Sequence, residues 1–322
     1  MIVDLERTTT SAISKQLVDL RDEGGVIALG RVLTLIIHAQ MGEEEDAIAA
    51  ANDASREHPM RVLVVSRNTD AIADEEQPRL DAQIRVGGDA GASEVIVLKC
   101  WGEVGQHVLG VVQGLLLSDA PVVAWWPTFM PETPSRSQLG KIAQRRITDM
   151  ARQPNPRETL LALAACYSPG DSDLAWTRLT GWRAQLAAVL DLPPFEPVES
   201  ATVHGEYENP SVHLLKAWLQ QQLEIDVAIQ DVGDKPCGTS GIDKVELNRE
   251  GGVTLLERDT ESVAVLRQPG QPEHRIAITK RGLREQLAEE LRRLDPDEMY
   301  HRVLRTLAST VEPAGSTNSK EQ

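Results

Sequence analysis

The stretch that most constrains this chain is Ala-Pro-Val-Val-Ala-Trp-Trp-Pro at 120–127. A helix-like apolar segment over 107–117 precedes it, and Ser118-Asp119 separates the two. A short apolar run that follows a helix and is bounded by prolines predicts a buried parallel strand. Pro127 has no N–H to give a ladder, so the chain leaves the sheet after Trp126. In open α/β sheets, binding surfaces lie beyond the carboxyl ends of the strands. Two indoles at such an end form either a large core plug or a contact surface.

Around this strand, apolar runs alternate with helical patterns. Thr8, Thr9, Thr10 and Ser11 offer N-caps to a helix carrying Ile13, Leu17 and Leu20. Strands are predicted over 26–39, 62–65, 80–86 and 95–98, and a helix with an acidic first turn over 41–56. Residues 139–150 read as a helix leading into a short strand, and Pro156 starts a helix running to 165. This alternation predicts a layered α/β domain with a mostly parallel sheet. The longest predicted helix spans 171–190, capped by Asp171 or Ser172, with Ala175, Leu179, Trp182, Leu186 and Val189 on one face. Pro193-Pro194 stops it, which places the expected domain boundary after residue 192.

Residues 193–310 have a different grammar, expected to give a smaller α+β domain. A strand candidate at 198–204 and a helix bearing Leu214, Leu215, Trp218, Leu219 and Leu223 are followed by short alternating runs up to 278. Charged or glycine-rich turns separate those runs, as in an antiparallel meander. Two helices close the domain; the second is expected to use Asp295 as N-cap, Pro296 at N1 and Glu298 at N3. The polar segment 311–322 reads as a disordered tail.

Chemistry-bearing patterns are sparse. The net charge of −16, from 49 acidic against 33 basic residues, argues against a nucleic-acid partner. No apolar run reaches the roughly 18 residues of a membrane span, and the amino terminus lacks a signal-like pattern, so a cytoplasmic chain without a membrane partner is expected. Cys100, Cys166 and Cys237 lie far apart, without a Cys-x-x-Cys pair, and read as packed thiols. No His-x-x-x-His pair or Gly-x-Ser-x-Gly elbow occurs. No catalytic residue, metal site or cofactor is therefore assigned.

Two features remain as candidate sites. Arg136, Lys141, Arg145, Arg146 and Arg152 face only Asp149 within 136–152, and form either a solvated helix face or a partner contact. Trp and Arg dominate interface hot spots, so Trp125, Trp126, Arg145, Arg146 and Trp176 are the candidate partner surface, while Trp101, Trp182 and Trp218 read as core. The turn at 87–93, with Gly87, Gly88, Gly91 and Ser93, is either a tight structural turn or a cradle for an anion such as a phosphosugar or nucleotide.

Jointly, several stretches carry a family resemblance. They are Met-Ile-Val-Asp-Leu at 1–5, Gly-Arg-Val-Leu-Thr-Leu-Ile-Ile at 30–37 and Arg-Leu-Asp-Ala-Gln-Ile-Arg-Val-Gly-Gly-Asp-Ala-Gly-Ala-Ser-Glu at 79–94. The Trp-Trp strand, Arg-Arg-Ile-Thr-Asp at 145–149, Gly-Asp-Ser-Asp-Leu-Ala-Trp-Thr-Arg at 170–178 and Leu-Arg-Arg-Leu-Asp at 291–295 complete the set. The chain resembles the actinobacterial type of the glucose-6-phosphate dehydrogenase assembly protein family, OpcA. The resemblance implies a non-catalytic activator that binds glucose-6-phosphate dehydrogenase, the NADP-reducing entry to the pentose phosphate pathway. Cyanobacterial members look redox-responsive through cysteines, whereas the three thiols here stand alone in sequence.

Overall fold

The computed structural model describes residues 1–24, 30–67, 77–87, 94–193, 195–233 and 241–310. Two compact units interleave along the chain. The first comprises Met1–Pro154, Ser168–Arg178 and Lys280–Asp297, and the second Asn155–Tyr167, Leu179–Thr279 and Glu298–Gln322. The single cut expected after residue 192 is thus replaced by an exchange of segments.

The first unit holds eight strands: β1 (Ile2–Leu5), β2 (Leu33–Gln40), β3 (Met60–Arg67), β4 (Arg79–Arg85), β5 (Glu94–Trp101), β6 (Val122–Trp126), β7 (Arg145–Thr148) and β8 (Asp171–Asp173). Their order is β1-β4-β5-β3-β2-β6-β7-β8. β4 pairs antiparallel with both β1 and β5, and every other pairing is parallel. The parallel core therefore starts at β2 in the middle, moves outward through β3 and β5, then returns to β6 on the other side of β2. That reversal is a topological switch, and it lies between β2 and β6.

Side-chain alternation along these strands divides the core between the two faces. On one face Ile36, Leu63, Val65, Ala124 and Trp126 pack with Ile13 and Leu17 of α1 (Thr10–Gly24) and, beyond the short α3 (Glu103–Gln106), with Val111 and Val112 of α4 (Val108–Gln113). On the other, Leu35, Ile37, Val62, Val64, Val123 and Trp125 meet Ile48 and Ala51 of α2 (Glu45–Ala54). Leu287 and Leu291 pack into the same core. Adjacent residues of one strand point to opposite faces, so Trp125 and Trp126 fill separate cores.

Two local predictions are corrected in this unit. Residues 139–150 form no α-helix; a single 3-10 turn at Pro134–Arg136 precedes β7. The expected single helix over 171–190 is divided: a short edge strand, β8, comes first, then α6 (Leu174–Thr177), and only Thr180–Leu190 forms the predicted helix, with Trp182, Leu186 and Val189 buried. Asp173, in extended conformation, is the actual N-cap and accepts from the Ala175 N–H at 2.7 Å. Asp171 and Ser172 read as caps because their short polar side chains favour such positions, but here they pair with β7.

The second unit contains α5 (Pro156–Cys166), α7 (Thr180–Leu190), β9 (Ser200–Gly205), α8 (Pro210–Leu223), β10 (Asp226–Asp231), β11 (Ile242–Arg249), β12 (Gly252–Arg258), β13 (Val263–Arg267), β14 (His274–Ala277) and, after α9 (Leu283–Arg292) of the first unit, α10 (Glu298–Thr310). Its sheet runs β10-β9-β11-β12-β13-β14, with β9 and β10 parallel and the rest antiparallel. The predicted antiparallel meander is present. α8 starts as its sequence dictates, with Asn209 accepting from the Ser211 N–H at 3.0 Å and Pro210 in the first turn. Trp182 and Trp218 are buried as expected. The last helix begins at Glu298, so the capping arrangement predicted for Asp295 and Pro296 does not form. The Asp295 backbone carbonyl instead accepts from Arg145 of the first unit.

Candidate functional site

Each residue proposed from sequence for a partner surface is internal. Trp125, Trp126, Trp176, Arg145 and Arg146 are between 0 and 7% exposed. The surface reading is therefore corrected: β6 lies in the middle of a sheet covered on both faces, and β7 is enclosed beside it. Arg145 donates to Glu290 of α9 through Nη2 at 2.6 Å and Nε at 3.1 Å, and to the Asp295 carbonyl at 2.9 Å. Ser172 donates to the same carboxylate at 2.6 Å, and so does Thr177. Arg146 bonds Asp171 and the Pro169 and Ala143 carbonyls. Trp176 donates its indole N–H to Asp297 at 2.8 Å. Two of the clustered cations, Arg145 and Arg146, thus report buried ion pairs with acids elsewhere along the chain, whereas Arg136, Lys141 and Arg152 are exposed, as a solvated face requires.

The same edge of the sheet holds a carboxylate pair. Asp149 is bonded by both terminal nitrogens of Arg178, at 2.8 and 2.7 Å. Asp173 accepts from Thr148 Oγ1 at 2.6 Å, the Met150 N–H at 2.9 Å and the Ala175 N–H at 2.7 Å. Burial, with the Asp149 charge second, still pushes the Asp173 carboxyl up from 3.8 to about 7. A raised acid favours the fold while protonated, so its contribution is full below 3.8 and is lost as pH rises through about 7. Accordingly, the stability of the wild type minus that of Asp173→Asn falls by more than about 1 kcal/mol across this window. Chemical denaturation of both proteins at several pH values reads this difference, and a pH-independent gap contradicts it.

At the topological switch, the carboxyl ends of β2, β3 and β6 surround a cleft of about 180 Å³. His38, Arg67 and Trp126 project into it from the face that also carries Ile36, Val65 and Ala124. Phe129, Gln106 and Gln138 complete the rim, the two glutamines joined by a 2.6 Å bond from Gln138 Nε2 to the Gln106 carbonyl. His38 is 8% exposed and its Nε2 has no hydrogen-bond partner among the described residues. Burial, then the neighbouring Arg67 charge, lowers its pKa to about 4, so the imidazole is neutral near pH 7. Arg67 Nε is likewise buried without a partner, and Nη1 reaches the Gly105 carbonyl at only 3.5 Å. No sequence pattern marked this pair, because the two residues lie on separate strands.

The opposite face of the switch is acidic. The turn from β2 into α2 reads Met41-Gly42-Glu43-Glu44-Glu45, where dinucleotide-binding folds place Gly-x-Gly-x-x-Gly. Glu44 turns inward, accepting from the Gly42 N–H at 2.9 Å and from Ser66 Oγ. A carboxylate in that position repels a pyrophosphate.

The remaining candidates are placed as follows. Gly87 follows β4 with a φ of +74°, as a tight turn requires, while Gly88, Gly91 and Ser93 lie outside the described residues. Cys100 is buried, and burial raises its thiol to about 12, which keeps it a thiol and not a thiolate. Cys166 is half-buried and Cys237 lies outside the described residues. Trp101, read as core, is only half-buried and carries the Arg79 guanidinium over its ring at 4.4 Å. Among the described residues, no cluster of His, Cys, Asp or Glu could hold a metal ion, and no helix is long and apolar enough to cross a membrane.

Comparison with known families gives two matches in chain order. Residues 51–165 match a family described as the glucose-6-phosphate dehydrogenase subunit N-terminal domain, and 169–304 match the corresponding C-terminal domain. No curated protein matches the chain. Among solved structures, an oxidoreductase from Sinorhizobium meliloti aligns at 10% identity over 86% of both chains, with a TM-score of 0.42. An oxidoreductase from Thermotoga maritima aligns at 9% identity over 87% of this chain and 95% of its own, with a TM-score of 0.36. Likenesses of this order carry nothing about chemistry.

Proposed function

We propose, because this chain belongs to the OpcA family of glucose-6-phosphate dehydrogenase subunits, that it is a non-catalytic partner which binds that dehydrogenase and raises its activity. The observation that carries this reading is the pair of family matches, which together span most of the chain in the family's own order. The acidic β2–α2 turn is consistent with it, since a dehydrogenase of this sheet order would need to seat a dinucleotide there. An activator can shift an enzyme's equilibrium only by binding its active form more tightly. It follows that glucose 6-phosphate, by favouring that form, raises the affinity between the two proteins. The reading places the chain in NADPH supply through the pentose phosphate pathway.

Mixing the purified chain with its cognate dehydrogenase tests this. The two co-elute, the mixture has a lower KM or higher kcat for glucose 6-phosphate than the enzyme alone, and the chain alone oxidises no substrate. Unchanged kinetic constants without co-elution sink the proposal, as does turnover by the isolated chain.

A further inference from the structure

We infer that the cleft at the β2–β6 switch point binds a small oxyanion, the phosphate or carboxylate group of a compact metabolite. Arg67 and His38 are its recognition pair, and Trp126 and Phe129 are its apolar wall. Three independent observations converge on this site. It lies where open parallel sheets leave a crevice, beyond the carboxyl ends of the two strands at which the winding reverses. Its buried polar atoms, His38 Nε2 and Arg67 Nε, have no partner among the described residues, although buried polar groups are nearly always paired. They also match one class of ligand: a guanidinium N–H and a neutral imidazole can both donate to an oxyanion, whereas a cation would meet the Arg67 charge.

Size narrows the class further. A cavity of about 150 Å³ is known to hold one benzene. The 180 Å³ here therefore accepts a phosphate or a short carboxylate, with any larger body of the molecule left outside. Such a ligand would be held on the face opposite Glu44, away from the acidic turn.

Titration of the full chain with inorganic phosphate and with acetate, at constant ionic strength and with chloride as control, tests the inference. Calorimetry and tryptophan emission provide the readouts. Saturable binding of at least one anion, with an emission change as its charge comes beside the Trp126 indole, is expected in the millimolar range, about −4 kcal/mol. Preference for phosphate or for acetate identifies which oxyanion the cleft favours. Arg67→Gln removes only one weak internal contact and should fold normally while weakening binding at least tenfold; His38→Phe, which keeps the ring, should weaken it less. Absence of saturation with both anions on the order of 10 mM overturns the inference, and so does equal binding by folded Arg67→Gln. Because the assay contains no dehydrogenase, its outcome is separate from that of the activator proposal.

Discussion

Replacing Glu290 with alanine lowers the unfolding free energy of this chain by about 3–5 kcal/mol. The carboxylate is 5% exposed and accepts from Arg145, Ser172 and Thr177 at once. Its removal leaves a guanidinium without a counter-charge inside the protein. Most of the loss comes from that orphaned charge and less from the value of the pair itself, since desolvation offsets much of the attraction between buried ions. The double variant Arg145→Met with Glu290→Leu should therefore regain most of the stability. Denaturant unfolding of the two single variants and the double variant measures the coupling. If Glu290→Ala unfolds at the wild-type midpoint, the buried network has been misread.

Trp125→Ala should be about as costly, roughly 3–5 kcal/mol, because it empties the largest side chain from the core beneath α2 and α9. Trp125→Phe should cost much less, since it retains most of the packing and the indole nitrogen it deletes has no partner among the described residues. Internal placement has a second consequence for the proposed partnership. At a temperature where Trp125→Phe remains folded, its affinity for the dehydrogenase should equal that of the wild type. A pull-down titration checks this, and a large selective loss of binding would show that the indole reaches the partner after all.

Much of the first unit's architecture was legible because its strands announce themselves. Val62 to Val65 and Val95 to Val97 are continuous β-branched or aliphatic runs, the mark of strands buried on both faces. Charged edge elements were not legible. β8 consists of Asp-Ser-Asp, which has no strand propensity and forms because β7 offers it a ladder. Trp125 and Trp126 show the limit of composition-based reasoning about sites. Trp and Arg are frequent in interfaces for the same reasons that they fill cores and buried ion pairs, and only the neighbouring elements decide between the two. Glu290 and Asp295, which neutralise or bond Arg145, lie about 150 residues away in sequence, so the arginine cluster looked unbalanced. Likewise, His38 and Arg67 come together only through the register of β2 and β3.

The return of Lys280–Asp297 to the first unit has an implication for synthesis. On the ribosome, the parallel sheet is made early, yet Arg145 waits for its carboxylate until more than four-fifths of the polypeptide has been translated. Until the late helix docks, the buried Arg145 guanidinium has no counter-charge, so truncation upstream of Lys280 should leave the amino-terminal sheet less stable than in the full chain.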